Sequence, residues 1–414
     1  MKLKRRKTKR DSAVAVLSVL SAGLLLVACG SSGGGNAGGS TSGGATPTGK
    51  PLVVNSLLDI VGNAVNGVEG VKAAIKEINA AGGVGGRPIQ LKSACISNND
   101  PNGAATCARN AANNSDVLAE LGAATSYGAS VDPIFEHANL PDIIGIMSGP
   151  ADFTSPVVFS TNVGTQVAAG EVVLAADSLG AKNIGLLTGD NPASHALPAI
   201  LTAGVLKQRN QSLAASAFIP ATGAGDIAPQ IASLAKADAQ VQLLSGSNVP
   251  NAVNTTRRLG YKYPIVLTGV AISPSHIRSQ IQDTSSLYAA QFYNQSGTGY
   301  DAYEKAMAAV GEKGGQYDTA GAISGYLDVH LLADTVKALQ ASGKNITRQN
   351  ILAQIRATSN HDTGGLTPPL SWTTKSTVLG GKLPNLINPT VVGYKYSNGE
   401  YVPLNNGKFI TIYQ

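Results

Sequence analysis

The side chains that could carry acid–base or metal chemistry are few and scattered in this sequence. None of the five histidines stands beside a cysteine or a spaced pair of acidic residues, so each is expected to be a surface or packed residue. These histidines are His137, His195, His276, His330 and His361. Ser130, Asp132 and His137 have the residue types of a catalytic triad, but neighbours on one predicted helix cannot form one. The sequence therefore predicts no catalytic residues and no metal site.

Sequence motifs of nucleotide, zinc and hydrolase sites are also absent. The chain contains no GxxxxGK[ST], HExxH, CxxC or GxSxG pattern. Gly223–Ala228 is a loose GxGxxA, but no acidic residue follows a strand at the spacing that a dinucleotide site requires. A turn before a helix capped by Asp226 is the favoured interpretation. We therefore expect no cofactor and no enzyme, although a hydrolytic site assembled from distant residues remains an alternative.

The N-terminus has the pattern of an export signal. Seven Lys or Arg stand within residues 1–10, and the apolar run that follows, Ala13 to Ala28, is shorter than the ~20 residues that span a bilayer. Leu26-Val27-Ala28-Cys29 matches the lipobox of bacterial lipoproteins, whose cysteine receives a diglyceride and acyl chains such as palmitate. We interpret residues 1–28 as a lipoprotein signal peptide and Cys29 as the lipidation site. An ordinary signal peptide with an accidental cysteine is the alternative.

Residues 29–50 are interpreted as a tether behind this anchor. They are dominated by Gly, Ser, Thr, Ala and Asn, which cannot bury enough apolar surface to offset the entropy of ordering. The protein would then be exported and lipid-anchored to the outer face of the cytoplasmic membrane, in a periplasm or at the cell surface. Removal of residues 1–28 takes away seven of the 31 basic and one of the 25 acidic residues, which leaves 24 of each. We expect no nucleic-acid partner, since such proteins carry a basic stripe.

The two remaining cysteines, Cys95 and Cys107, are expected to form a disulfide. They lie twelve positions apart, and an exported protein folds where disulfides persist. Two buried free thiols are the alternative. A zinc site is not expected, because two cysteines without a nearby histidine are too few ligands.

Beyond the tether, short apolar runs alternate with segments of helical periodicity. One such series occupies residues 51–147 and a second occupies residues 164–268. Strands that alternate with helices of ~10–15 residues indicate βαβ units and parallel sheets. The tail has short alternating segments separated by Asn398-Gly399 and Asn406-Gly407, which predict hairpins. The sequence therefore predicts an α/β protein of two doubly wound lobes with a cleft between them.

Several segments resemble one family. Ile78–Leu91 (INAAGGVGGRPIQL) resembles the motif that closes the first helix in type I periplasmic binding proteins of the leucine/isoleucine/valine-binding family. Asp100-Pro101 with Ala104–Ala108 is similar to the family's DPxxA segment. Gly180–Asn191 is similar to the strand that opens the second lobe, and Arg258-Leu259-Gly260 precedes the next strand as in the family.

This resemblance, over roughly residues 51–404, implies two Rossmann-like lobes joined by a three-crossover hinge that close on a ligand. The implied boundaries are residues 51–162 plus 288–381 for the first lobe and residues 163–287 plus 382–414 for the second. It also implies delivery of a small molecule to the membrane permease of an ABC importer, and we expect a monomer. A ligand-sensing module coupled to a receptor is the first alternative, and an exported hydrolase is the second.

The cleft residues follow from topology, because ligands of open α/β sheets sit at the carboxyl ends of strands, beside helix N-termini. Helix N-termini after Ser126 and after Ser148 are expected to offer unpaired backbone N–H groups to a carboxylate or another polar acceptor. Asp190 and Asn191 would hold a donor on the ligand's other end. The full candidate set is Ser126, Tyr127, Ser148 and Gly149 in the first lobe and Asp190, Asn191, Ser247 and Asn248 in the second.

The amine-binding groups of the family are not matched. Members that bind aliphatic amino acids use a Tyr-Gly pair and a carboxylate that pairs with the ligand's ammonium. The corresponding places fall near Ala193-Ser194 and Val270, which cannot do this, although a buried ammonium needs an anionic partner. Asp190 is the possible substitute. The resemblance therefore leaves the ligand open between an amino-acid-like compound and another small organic molecule.

Overall fold

The computed structural model describes residues 46–59, 67–220, 225–244, 246–269, 272–311 and 320–414. The predicted signal peptide, Cys29 and residues 30–45 of the predicted tether lie outside the described residues. Within these ranges no helix combines the length and apolarity needed to cross a bilayer. The same ranges contain no group of three or more His, Cys, Asp or Glu side chains arranged to hold a metal ion.

The first sheet is parallel throughout and has the order β2-β1-β3-β4-β5. Leu52 pairs with Ile89, and Glu120 pairs with Asp142. β1 and β3 to β5 are mostly buried apolar runs, as expected for strands covered on both faces. The strands are β1 (Leu52–Leu58), β2 (Ile89–Ile96), β3 (Val117–Ala123), β4 (Asp142–Ile144) and β5 (Val158–Ser160).

The second sheet is mixed and has the order β12-β11-β10-β9-β8-β6-β7, with β13 paired to β11. β6 to β10 are parallel, whereas the tail adds three strands in antiparallel pairing. The hairpin predicted at Asn398-Gly399 joins β11 to β12, but the one predicted at Asn406-Gly407 is wrong, because β13 pairs with β11 and not with β12. The strands are β6 (Asn183–Gly189), β7 (Ser212–Ile219), β8 (Ala239–Leu243), β9 (Ile265–Thr268), β10 (Leu287–Gln291), β11 (Thr390–Ser397), β12 (Glu400–Pro403) and β13 (Phe409–Thr411).

The predicted boundary at residue 288 is wrong by the length of one strand. Tyr288 lies inside β10, where it pairs with Val266 of β9 and Lys395 of β11. A strand hydrogen-bonded on both sides belongs to its sheet, so the chain leaves the second sheet after Gln291.

Helices connect and cover the strands. α10 packs on β3 and β4 of the first sheet and contacts α1, while α9 packs on α1 and α11 packs on α10. Asp100 begins α2, since its side chain accepts from the N–H of Gly103 at 2.7 Å and Pro101 opens the first turn. The helices are α1 (Gly67–Ala80), α2 (Pro101–Ala112), α3 (Gly128–Ala138), α4 (Val167–Val173), α5 (Pro192–Leu201), α6 (Ala228–Ala232), α7 (Val249–Arg258), α8 (Pro274–Gln280), α9 (Thr298–Ala309), α10 (Ala320–Ala341), α11 (Arg348–Arg356) and α12 (Val378–Gly381).

Three connections between the sheets meet in one buried polar cluster. The Tyr293 hydroxyl lies 2.9 Å from Asn162 Nδ2 and 3.1 Å from Thr161 Oγ1. Asn388 Nδ2 donates to the Thr161 carbonyl at 3.2 Å. Asn162 lies just after β5, and Tyr293 lies just after β10. Asn388 lies just before β11, so each connection contributes one residue or more to the cluster.

Cys95 of β2 and Cys107 of α2 are joined by a disulfide, the pair that the sequence predicts. Their Cα atoms are 5.7 Å apart. The bond ties the edge strand of the first sheet to the helix that follows it.

Candidate ligand site

The loop after β3 is organised around Asp59, the residue that follows β1. The Ser126 N–H donates to Asp59 Oδ2 at 2.8 Å, and the Thr125 hydroxyl donates to Oδ1 at 3.1 Å. The Ser97 hydroxyl also donates to Oδ1. Asp59 is buried, whereas the Ser126 side chain is exposed. The Tyr127 hydroxyl donates to the Asn99 carbonyl at 2.5 Å, which ties this loop to the one after β2.

The loop after β4 is organised in the same way around Asp152. The N–H groups of Ser148 and Gly149 donate to Asp152 Oδ2 at 2.6 and 2.9 Å. Asp152 is buried, and its other oxygen has no hydrogen-bond partner within the described structure. That oxygen packs against the first residue of α3, since a Cβ on Gly128 would lie 1.9 Å from it. The carboxylate therefore fills the space between this loop and the start of α3.

Two expectations about these loops are wrong. The N–H groups of Ser126 and Ser148, expected to be unpaired, donate to Asp59 and Asp152. No helix begins after Ser148, because residues 149–154 form turns, with the Thr154 N–H bonded to the Ala151 carbonyl at 2.9 Å. The sequence signal for Asp152 was its position four residues beyond Ser148, a spacing that allows a side chain to accept local N–H groups. Asp59 gave no such local signal.

In the second lobe, Asp190 and Asn191 follow β6 and take different roles. Asp190 is exposed, and its Oδ1 lies 2.8 Å from His195 Nε2. The imidazole stacks on Phe218 with a centroid distance of 4.1 Å. Asn191 begins α5, because its Oδ1 accepts from the Ser194 N–H at 3.0 Å. The sequence analysis missed the role of His195, which is five residues after Asp190 on the same loop and helix.

Ser247 and Asn248 lie after β8 and differ in their exposure to solvent. Ser247 is exposed, whereas Asn248 is buried and precedes α7, with its carbonyl accepting from the Ala252 N–H at 3.1 Å. Val270 lies outside the described residues. The hydrogen bonds of Ser126, Tyr127, Ser148, Gly149, Asp190 and Asn191 described above each stay within one lobe.

Buried acids underlie the loops of the first lobe. Burial, with the Asn55 amide opposing it, raises the pKa of Glu120 in β3 to about 8. Burial and the charges of Asp152 and Glu136 raise the pKa of Asp132 in α3 to about 8. Burial is also the main cause that raises the pKa of Asp152. It does the same for Asp142 and for Asp328, which accepts the Gly122 N–H at 3.2 Å.

Comparisons with known proteins return one family and many solved structures. A family model for periplasmic binding proteins matches residues 62–378. A search of curated proteins found no match. The leucine-binding protein of Thermotoga maritima superposes with a TM-score of 0.67 at 19% identity, over 87% of this chain and 99% of that chain.

Two further structures are similar to the same extent. A solute-binding protein of R. palustris in complex with 4-hydroxybenzoate has a TM-score of 0.66 at 15% identity, over 87% of this chain and 97% of that one. A fatty acid ABC transporter substrate-binding protein of Thermomonospora curvata has a TM-score of 0.68 at 18% identity, over 89% of this chain and 95% of that one. At these identities the similarity shows a shared fold.

Proposed function

The chain belongs to the periplasmic binding protein family, and we propose that it is the extracytoplasmic solute-binding lipoprotein of an ABC importer. It binds a small polar ligand between its lobes, acts as a monomer and hands the ligand to a membrane permease without chemical turnover. The observation that carries this proposal is the family match over residues 62–378. The carboxyl ends of both sheets, where ligands of such folds bind, carry the candidate loops.

The identity of the ligand does not follow from the similar structures. Those structures are a leucine-binding protein, a complex with 4-hydroxybenzoate and a fatty acid transporter component, and these three compounds differ in shape and polarity. The polar side chains at this chain's loops support a polar ligand, namely the exposed Ser126, Asp190 and Ser247. Ser148 and Gly149 are half-buried in the opposite loop.

A thermal-shift screen across amino acids, amides, amines, organic acids and sugars tests the binding function. A ligand at 100 times its Kd adds about 2.7 kcal/mol to the free energy of unfolding, which a melting curve resolves. Each hit is then incubated with protein at length and recovered. Recovery of the unchanged compound is expected, and its conversion to a product contradicts the proposal in favour of an exported enzyme.

Anchoring through Cys29 is supported by the basic leader and by the Leu26–Cys29 lipobox. We expect Cys29→Ser to abolish labelling by radioactive palmitate and to release protein into the medium or leave an unprocessed precursor. Cys95→Ser is the matched control, because it removes another cysteine and leaves the lipobox intact. Continued labelling of Cys29→Ser would contradict the lipoprotein assignment.

A further inference from the structure

In the first lobe, the backbone N–H groups expected to hold a ligand carboxylate are already hydrogen-bonded to aspartate side chains of the protein. Asp59 accepts the N–H of Ser126, and Asp152 accepts the N–H groups of Ser148 and Gly149, at 2.6 to 2.9 Å. Both carboxyl groups are almost completely buried. Neither can turn away to release its donors without giving up hydrogen bonds of a buried acid, which is costly.

The distribution of charge at the carboxyl ends of the strands is one-sided. The segments that follow β1 to β10 up to the next element contain no Lys, Arg or His. They contain five aspartates, namely Asp59, Asp100, Asp152, Asp190 and Asp226. A ligand anion placed here would meet these carboxylates and no cation from the same segments, and both raise the cost of desolvating it.

Of these five, Asp190 is placed to meet a ligand. Its carboxylate is exposed, and only one partner, His195, is bonded to it in the described structure, at 2.8 Å. In the first lobe, the exposed Ser126 hydroxyl is an acceptor on the loop whose N–H group is bonded to Asp59. These groups accept hydrogen bonds from an ammonium or a guanidinium and attract its charge.

We therefore propose that the cleft selects an organic cation, a compound with an amine or guanidinium group and no free carboxylate. This proposal rests on the proposed function and narrows its ligand class. It separates this chain from the members of its family that hold an amino acid by its carboxylate, because the corresponding N–H groups are bonded to Asp59 and Asp152.

The first arm of the test uses matched compounds and the wild-type protein in calorimetry. Leucinamide is compared with leucine, agmatine with arginine, cadaverine with glutarate and benzylamine with benzoate. In the pairs that bind, the member without a carboxylate is expected to bind about tenfold or more tightly. Tighter binding of the carboxylate member overturns the cation proposal and leaves the solute-binding function standing. Binding of neutral amides or sugars alone also overturns it.

The second arm tests whether Asp152 occupies the N–H groups of Ser148 and Gly149, and it needs no transported ligand. Asp152→Ala removes the carboxylate, and acetate is added with sodium chloride of equal ionic strength as the reference. Acetate is expected to raise the Tm of Asp152→Ala by filling the vacated site, and to leave the wild type unchanged. Asp142→Ala is the matched control, since Asp142 is equally buried but accepts no N–H from these loops. Asp152→Asn keeps an oxygen acceptor and should need no acetate.

Equal stabilisation of wild type and Asp152→Ala by acetate overturns the proposal, because the wild type would then have free sites for a carboxylate. If Asp152→Ala does not fold, the same comparison is made by refolding it in acetate or in chloride, and equal yields overturn the proposal. A failure of all compounds to bind, with rescue by acetate intact, overturns the solute-binding function while the assignment of the N–H groups stands.

Discussion

Ser126, Ser148 and Asp190 differ in which of their polar groups are free to bind a ligand. The N–H of Ser126 is bonded to Asp59, but its side chain is exposed. Ser148 is half-buried, and its hydroxyl donates to the Ile146 carbonyl at 3.3 Å, which leaves the oxygen free to accept. Asp190 shares one oxygen with His195. At the residue scale, the proposed site therefore offers side chains rather than the backbone N–H groups of Ser126 and Ser148 to a ligand.

We predict that Ser126→Ala, Ser148→Ala and Asp190→Ala each weaken ligand binding and leave the fold intact. A lost polar contact in a closed cleft costs about 1–3 kcal/mol, or roughly tenfold or more in affinity. Calorimetry with the ligand found in the screen measures the change. Ser233→Ala is the matched control. Ser233 lies just beyond α6 and outside the candidate loops, and its hydroxyl donates to the Gln230 carbonyl. Unchanged affinity in all three variants would mean that the site lies elsewhere.

The disulfide gives a second prediction at this scale. Replacement of Cys95 and Cys107 together by alanine should lower the free energy of unfolding by about 3 kcal/mol, the chain-entropy cost of opening so short a loop. Denaturant unfolding of the double variant and the wild type measures it. Mass spectrometry of an unreduced digest should find the two peptides linked, and recovery of two alkylatable thiols from the native exported protein would refute the pairing.

The positions of the candidate loops could be predicted from the sequence, whereas their internal contacts could not. Strand and helix periodicity places Ser126 and Ser148 after strands of one sheet, and a parallel sheet brings such loops to one edge. Asp59 and Asp152 bind those loops through side-chain geometry that periodicity does not encode. Asp59 is 67 residues from Ser126, so no local pattern indicates that they meet.

At the element scale, the alternation of strands and helices and the family resemblance were confirmed. The errors fall on short elements. β5 has three residues, too few for a period to be recognised, and β5, α8 and α11 lie outside the two predicted series of strands and helices. The boundary at residue 288 divided β10 between the lobes, because strand propensity does not tell which sheet a strand joins.

The buried acids of β3 and α3 predict an unusual pH dependence. Glu120 and Asp132 have pKa values of about 8 in the folded protein, above the ordinary values of 4.5 and 3.8. The folded state therefore binds these protons more tightly than the unfolded state, and the stabilisation is lost as pH rises towards 8. We expect the free energy of unfolding to fall between pH 5 and pH 8 by an amount that Glu120→Gln reduces, as measured by urea unfolding.

Glu120→Gln keeps an oxygen that accepts from Asn55, so the fold should tolerate it. The control is Asp238→Asn, an exposed acid whose pKa is lowered mainly by the N–H groups of Asn183 and Lys182. Asp238 loses its proton below this range, so its replacement should not alter the slope between pH 5 and pH 8. Equal slopes in wild type and Glu120→Gln would show that the buried glutamic acid does not titrate there.

Close packing of α1 on α10 depends on glycine. A Cβ at Gly70 would lie 1.8 Å from the carbonyl oxygen of Ala322, a backbone atom that cannot move aside. We predict that Gly70→Ala lowers the free energy of unfolding by about 1–3 kcal/mol or more through overpacking. Gly204→Ala is the control in thermal unfolding, because its nearest contact would be at 3.5 Å from Leu379. Equal melting temperatures of both variants would contradict the close approach.

At the scale of the whole molecule, the phenol of Tyr293, on the second connection between the sheets, bonds to the first connection and to α10. The Tyr293 hydroxyl contacts Asn162, Thr161 and, at 2.6 Å, Ser324 of α10. Burial, reinforced by the charge of Asp328, raises the pKa of Tyr293, so the phenol stays protonated and both donates and accepts. The sequence could not indicate this cluster, since its hydrogen-bonded members are up to 227 residues apart.

A hinge that is held by such a cluster should become looser when the phenol is removed. We predict that Tyr293→Phe removes one buried hydrogen-bond partner from Asn162 and one from Ser324 and costs about 1–3 kcal/mol of stability. It should also raise the ligand-free radius of gyration in small-angle scattering, whereas ligand still compacts both proteins. Each tenfold loss of the closed fraction weakens the apparent affinity about tenfold. Tyr396→Phe is the control, because its hydroxyl donates to the Pro274 carbonyl within the second lobe. A radius of gyration and an affinity equal to those of the wild type in Tyr293→Phe would show that this cluster does not govern closure.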